Sequence, residues 1–150
     1  MEKRVLSNGV EIPAIGLGVY LSPEGQATAD SVRWAVEAGY RHIDAAAVYG
    51  NECSVGEGIK TCGIPRDQLF LTSKLWNDDI RKGRALDAFK ESLERLGTDY
   101  LDLYLIHWPA DGHVKAWHVL EELYQTGAVR AIGVSNYHSQ HIAELESEAK

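Results

Sequence analysis

Short apolar runs alternate along this chain with stretches in which apolar residues recur every three to four positions. The first pattern predicts strands, the second amphipathic helices. The segment VLSNGVEIPAIGLG, 5–18, predicts a small hairpin turned at Asn8-Gly9, then a short strand ending at 16–18. Thr28 is placed to cap a helix with Val32, Ala35 and Val36 inward, and Gly39 stops it. A strand is expected over 40–44 and a helix over 52–62, with Val55 and Ile59 on one face. Gly56 and Gly58 weaken that helix, and Gly63 and Pro65 end it. The next strand covers 68–74. The helix after it places Leu86, Phe89, Leu93 and Leu96 at helical spacing and closes at Gly97. A strand over 100–108 precedes a helix carrying Trp117, Leu120, Glu121 and Tyr124, which stops at Gly127. A strand over 128–136 and a helix from about Ser139, with Ile142 and Leu145 inward, complete the pattern.

The order is a hairpin followed by five strand–helix units, one unit every thirty residues or so. Such alternation implies an α/β fold with a parallel sheet, either doubly wound or a (β/α) barrel. In both, chemistry gathers at the C-terminal ends of the strands. Those ends are Gly18, Asp44, Lys74, His107 and Ser135-Asn136. The run LDLYLI is mostly core-like, and His107 stands at its mouth. An acid, an amine and an imidazole on neighbouring strand ends are more than a solvated rim requires.

Asp44 is placed to supply the counter-charge that a lysine facing into the rim needs. Tyr49 follows on the adjoining loop. A lysine cation about 4 Å from a phenolate stabilises it by about 4 kcal/mol at an effective dielectric near 20. Tyr49 then suits general acid–base work, with His107 donating to the same substrate oxygen. An acid over an oxygen, without a nucleophile or a metal ligand set, suggests carbonyl reduction above a hydride donor. Ser135 and Asn136 suit hydrogen bonding to a nicotinamide carboxamide. A rival arrangement groups His42, Asp44 and His107 as a metal site of a barrel hydrolase. No metal is expected under the first reading.

Composition narrows the setting. Of 150 residues, 45% are hydrophobic and 25% charged, as in ordinary globular domains, so one domain over 1–150 is expected. The net charge of −7 argues against a nucleic-acid partner. No apolar run approaches membrane-spanning length, the N-terminus lacks a secretory pattern, and Cys53 and Cys62 lack metal spacing. These features lead to the expectation of a cytoplasmic protein with reduced thiols.

GLGVY (16–20), DAAAVYGNE (44–52), TSKLW (72–76), YLDLYLIHWP (100–109) and AIGVSNY (131–137) resemble, in order and spacing, the motifs of the aldo-keto reductase family. The resemblance implies a (β/α)8 TIM barrel, NADPH as hydride donor, a small carbonyl substrate and a catalytic tetrad, here Asp44, Tyr49, Lys74 and His107. It further implies cofactor contacts at Gly18, Val19, Asp44, Ser135 and Asn136. The substrate would lie among Tyr20, Val48, Trp76, His107 and Trp108. Ala45 stands where the family often has Thr. The chain matches an N-terminal hairpin and about five βα units, leaving out strands six to eight. An incomplete barrel is therefore expected, from an enzyme that is a monomer at full length. The alternative is a catalytically silent fragment or interaction module.

Overall fold

The computed structural model describes residues 2–149. The hairpin pairs β1, Lys3–Val5, with β2, Glu11–Pro13, in antiparallel register. Its turn depends on Gly9, whose φ of +85° lies in the left-handed region, and on Asn8 Oδ1, which accepts from the Val10 N–H at 3.1 Å. The Asn8 amide also donates to the Arg130 carbonyl at 2.9 Å, fixing the hairpin to the larger sheet.

That sheet has five parallel strands in sequence order: β3 Leu17–Gly18, β4 His42–Asp44, β5 Phe70–Leu75, β6 Leu103–Ile106 and β7 Ile132–Val134. The strands are shorter than the apolar runs predict. Alternation along β5 sends Leu71, Ser73 and Leu75 to one face and Thr72 and Lys74 to the other. The helices are α1 Gln26–Glu37, α2 Glu52–Thr61, α3 Asn77–Arg81, α4 Ala85–Leu96, α5 His113–Gln125 and α6 Ser139–Glu148. Ile43, Leu71, Tyr104 and Ile106 of the strands join Val32, Val55, Phe89 and Leu120 of the helices in one buried core.

Helix α2 forms despite its two glycines because both are used for close packing. A Cβ on Gly56 would lie 2.7 Å from the Arg95 carbonyl oxygen of α4, and one on Gly58 would lie 2.6 Å from Val32 Cβ of α1. Helix propensity is given up for two helix–helix approaches that a methyl would block.

Several expectations need correction. Thr28 does not cap α1. It lies inside the helix, fully buried, and its hydroxyl donates to the Pro23 carbonyl at 2.6 Å. The N-cap is Gly25, whose N–H is accepted by Ser54 Oγ of α2 at 2.6 Å. Leu86, Tyr124 and Ile142 are exposed: Leu86 lies to the side of the Ala85, Phe89 and Leu96 face, Tyr124 stands in the last turn of α5 beside Asn8, and on α6 Leu145 takes the buried position. Ala85, Ala88 and Ser92 fill the inward positions of α4 beside Phe89 and Leu96. The five-residue α3 has no apolar period to announce it.

At the N-terminal end of the sheet, Asp102 is completely buried. It accepts from Arg130 Nη1 at 2.7 Å and the Leu71 N–H at 2.9 Å, and it is ion-paired with Arg66 Nη1 at 2.9 Å. Arg66 also donates to Thr98 Oγ1, the Leu69 carbonyl and the Tyr100 carbonyl, and its guanidinium lies over the Tyr100 ring.

Candidate active site

The strand ends bring the expected groups onto one rim. Parallel register sets Gly18 beside Asp44, Asp44 beside Thr72, and Lys74 beside Leu105, one residue pair before the β6 terminus. Lys74 is 6% exposed, yet its ammonium is fully satisfied. Nζ lies 2.8 and 2.9 Å from the two Asp44 carboxylate oxygens and 2.8 Å from the Ala45 carbonyl oxygen. Three acceptors match the three N–H donors of an ammonium. The third comes from the backbone, so Ala45 contributes to holding Lys74 without a functional side chain. Sequence reading missed it, and a main-chain acceptor leaves no residue-type signal.

Tyr49 ends a short 3₁₀ turn, Ala47–Tyr49, that Gly50 closes in the left-handed conformation with φ of 68°. Lys74 Nζ lies 5.2 Å from the centre of the Tyr49 ring. The phenol hydroxyl makes no hydrogen bond among the described residues. With the ammonium donors committed to Asp44 and Ala45, the lysine charge acts on the phenol through space.

His107 follows β6 directly, and its ring meets Tyr49 at 5.7 Å and Trp76 at 5.4 Å, both edge-on. Burial, reinforced by the Lys74 cation and opposed by Asp44, pushes the imidazole pKa below its ordinary value. The ring is therefore neutral near pH 7, and its Nδ1 is buried without a hydrogen-bond partner. Asn136, at φ of 61°, donates from Nδ2 to the His107 carbonyl at 2.9 Å and to Ser135 Oγ at 3.0 Å. The ends of β6 and β7 are thereby joined, while Asn136 Oδ1 and the Ser135 hydroxyl proton face no protein partner among the described residues.

Tyr20 packs against Tyr49 at 5.1 Å and is exposed, as are Trp108 and Val48. Val48 and Trp76 border a cleft of about 320 Å³ on the flank between α2 and α4. Gly18 is open to solvent, and space around it is free. Its neighbour Val19 is different: 1% exposed, with its N–H donating to the Asp44 carbonyl and its own carbonyl accepting from Asn51 Nδ2. Of that pair, Gly18 offers the surface a ligand could use.

The rival metal grouping loses its members to other partners. Both Asp44 oxygens are on Lys74, and His42 Nε2 lies 3.0 Å from Thr72 Oγ1. No group of three His, Cys, Asp or Glu residues suited to a metal occurs among the described residues. No helix among them is long and apolar enough to cross a membrane.

Two buried polar residues at the start of α2 also escaped sequence reading. Asn51 donates to the Val19 and Ser22 carbonyls, each at 2.9 Å, and holds the loop that bears Tyr20. Glu52, 1% exposed, accepts from Ser73 Oγ, Ser92 Oγ and Arg95 Nε. Their signal was their place in the run GNE, where polar residues look like an ordinary helix start.

Known proteins resemble this chain in sequence and in fold. The chain is 52% identical over 146 residues to the glyoxal reductase of Bacillus subtilis, covering 97% of this chain and 53% of that protein. It superposes on the crystal structure of an aldo/keto reductase from Brucella melitensis with a TM-score of 0.94 at 43% identity, over 99% of this chain and 57% of that one. A Bombyx mori aldo-keto reductase, solved in complex with NADP, matches with a TM-score of 0.88 at 39% identity, over 99% of this chain and 54% of that one. The chain spans about half the length of the curated relatives it matches. Its five βα units are thus part of a (β/α)8 barrel. Residues 14–150 match the family model described as aldo/keto reductase, and the chain belongs to the aldo-keto reductase family.

Proposed function

We propose that this chain carries the proton-transfer site of an NADPH-dependent reductase that converts aldehydes or ketones to alcohols. The observation that carries the reading is the buried Lys74 ammonium, saturated by Asp44 and Ala45 and set beside a tyrosine whose hydroxyl is free. Asp44 pairs the Lys74 ammonium, which lies beside the Tyr49 ring. Tyr49 gives its proton to the substrate oxygen, and neutral His107 donates a ring N–H to the same oxygen.

The residues present fit a nicotinamide. Asn136 Oδ1 and the Ser135 hydroxyl are an acceptor and a donor left unspent by the fold, which is what a carboxamide needs. Gly18 offers open surface beside Asp44. NADPH bound there supplies a hydride to the carbonyl carbon, and the Bombyx mori relative in complex with NADP supports that choice. Tyr20 against Tyr49, Trp76 against His107, and exposed Val48 and Trp108 supply apolar surface for a small carbonyl compound, and glyoxal, for which one relative is named, is a first substrate to try.

A second reading rests on the sheet edges. Among the described residues, strands β3 and β7 each pair on one side only, and Leu103 and Leu105 are half-buried. The chain would then hold the acid–base groups yet fail to retain cofactor by itself.

One experiment addresses both readings. NADPH fluorescence is titrated with the chain, and turnover of glyoxal is followed for the wild type and Tyr49→Phe. Under the first reading the fluorescence shifts, and kcat falls by about 10²–10⁴-fold in the variant while NADPH affinity stays near wild type. Retained turnover in Tyr49→Phe would overturn the acid assignment. An absent fluorescence response selects the second reading.

A further inference from the structure

We propose that Glu52 is a positioning residue: through Ser73 it fixes Tyr49 relative to the strand that carries Lys74. The inference rests on the proton-transfer reading of that site. Ser73 and Lys74 are adjacent on β5 and point to opposite faces. On one face, Asp44 and the Ala45 carbonyl hold Lys74 at 2.8–2.9 Å. On the other, Ser73 Oγ donates to Glu52 Oε1 at 2.6 Å. Residues 44–52 therefore strap the end of β5, attached to it at both ends of the strap, and Tyr49 hangs between the attachments.

The strap is stiff enough to transmit position. Tyr49 N–H donates to the Ala46 carbonyl at 3.1 Å and Gly50 N–H to the Ala47 carbonyl at 3.2 Å. Two residues later Glu52 opens α2, whose Val55 N–H donates to the Asn51 carbonyl at 3.1 Å. The other Glu52 oxygen is tied to α4, by Arg95 Nε at 2.8 Å and Ser92 Oγ at 3.2 Å.

Stability alone does not explain the carboxylate. Its burial costs solvation, and buried ion pairs often do no better than well-packed apolar residues. A directional anchor does explain it. An apolar side chain at position 52 could fill the space but could not set the strap's length against Ser73. Glu52 itself faces the helix side of β5 and not the rim, so it acts through Tyr49 rather than on substrate.

Ser73 and Ser92 allow a clean test. Both are fully buried and each gives Glu52 one hydroxyl proton, yet Ser73 alone neighbours Lys74. The measurement compares Ser73→Ala with Ser92→Ala in the full chain, by thermal melt, kcat and KM with glyoxal, and NMR of ¹³C-labelled tyrosine with Tyr49 assigned by Tyr49→Phe. Ser73→Ala is expected to move the Tyr49 ring signals, lower kcat by on the order of tenfold with KM for NADPH near wild type, and shift the alkaline limb of the kcat profile. Ser92→Ala is expected to lower the melt comparably and to leave the ring signals in place and kcat within about twofold. Equal effects of the two variants, or unmoved Tyr49 signals in Ser73→Ala, would overturn the positioning role. The ring signals report position whether or not the chain reduces glyoxal, so a failure of the functional reading is distinguishable from a failure of this one.

Discussion

Two carboxylate–cation sites sit at opposite ends of the same sheet, and they are built differently. At the N-terminal end Asp102 is fully buried and saturated, with two guanidinium groups and a backbone N–H on its oxygens. At the C-terminal rim Lys74 is just as well paired, while its neighbours are not. Tyr49 hydroxyl has no partner among the described residues, His107 Nδ1 is buried without one, and Asn136 keeps its oxygen unspent. A clamp spends every polar group on the fold. A reaction site satisfies the groups that must stay fixed and leaves open those that must meet a ligand.

The contrast is broken most directly at the clamp. Asp102→Ala leaves the buried Leu71 N–H without its acceptor and opens a cavity, while Arg66 keeps its other acceptors and half-exposed Arg130 turns to solvent, and it is expected to cost about 1–3 kcal/mol in denaturant unfolding. A loss below about 1 kcal/mol would mean that the N-terminal network is ornamental.

A smaller effect belongs to the rim side of the sheet. Burial is the first cause lowering the pKa of both His42 and His107, and the nearby Lys74 cation acts in the same direction. The unfolded chain therefore takes up these protons before the native state does. The contribution to stability is complete above the ordinary imidazole value of about 6.5 and is lost as pH falls through the lower folded values. The melting temperature is expected to drop between about pH 7.5 and pH 5.5, with a shallower drop in a His42→Gln, His107→Gln double variant. An equal drop in the double variant would assign the acid sensitivity to other groups.

The rim was legible in the sequence because its residues interrupt apolar runs. His107 after LDLYLI and Lys74 within FLTSKL stand out against the strands that position them. The parallel order of the sheet followed from the strand–helix alternation. What stayed hidden was set by distant partners or by the backbone. Gly25 displaces Thr28 as the α1 cap through a hydroxyl 29 residues away, on Ser54. Gly56 and Gly58 read as weaknesses until α4 and α1 come within methyl distance of them. The Ala45 carbonyl has no side-chain signature, and Glu52 resembles any acid at a helix start until Ser73 and Arg95 are seen around it.

Lys74→Met tests the central claim most directly, because it separates the rim's chemistry from its contribution to the fold. Asp44 keeps a side chain 35% exposed and is rehydrated when the amine is removed, so stability is expected to change by about 1 kcal/mol or less. The measurement is kcat at saturating NADPH, beside the melt of the same sample. In a folded protein kcat is expected to fall at least about a hundredfold. Near-wild-type turnover in the folded variant would contradict that claim.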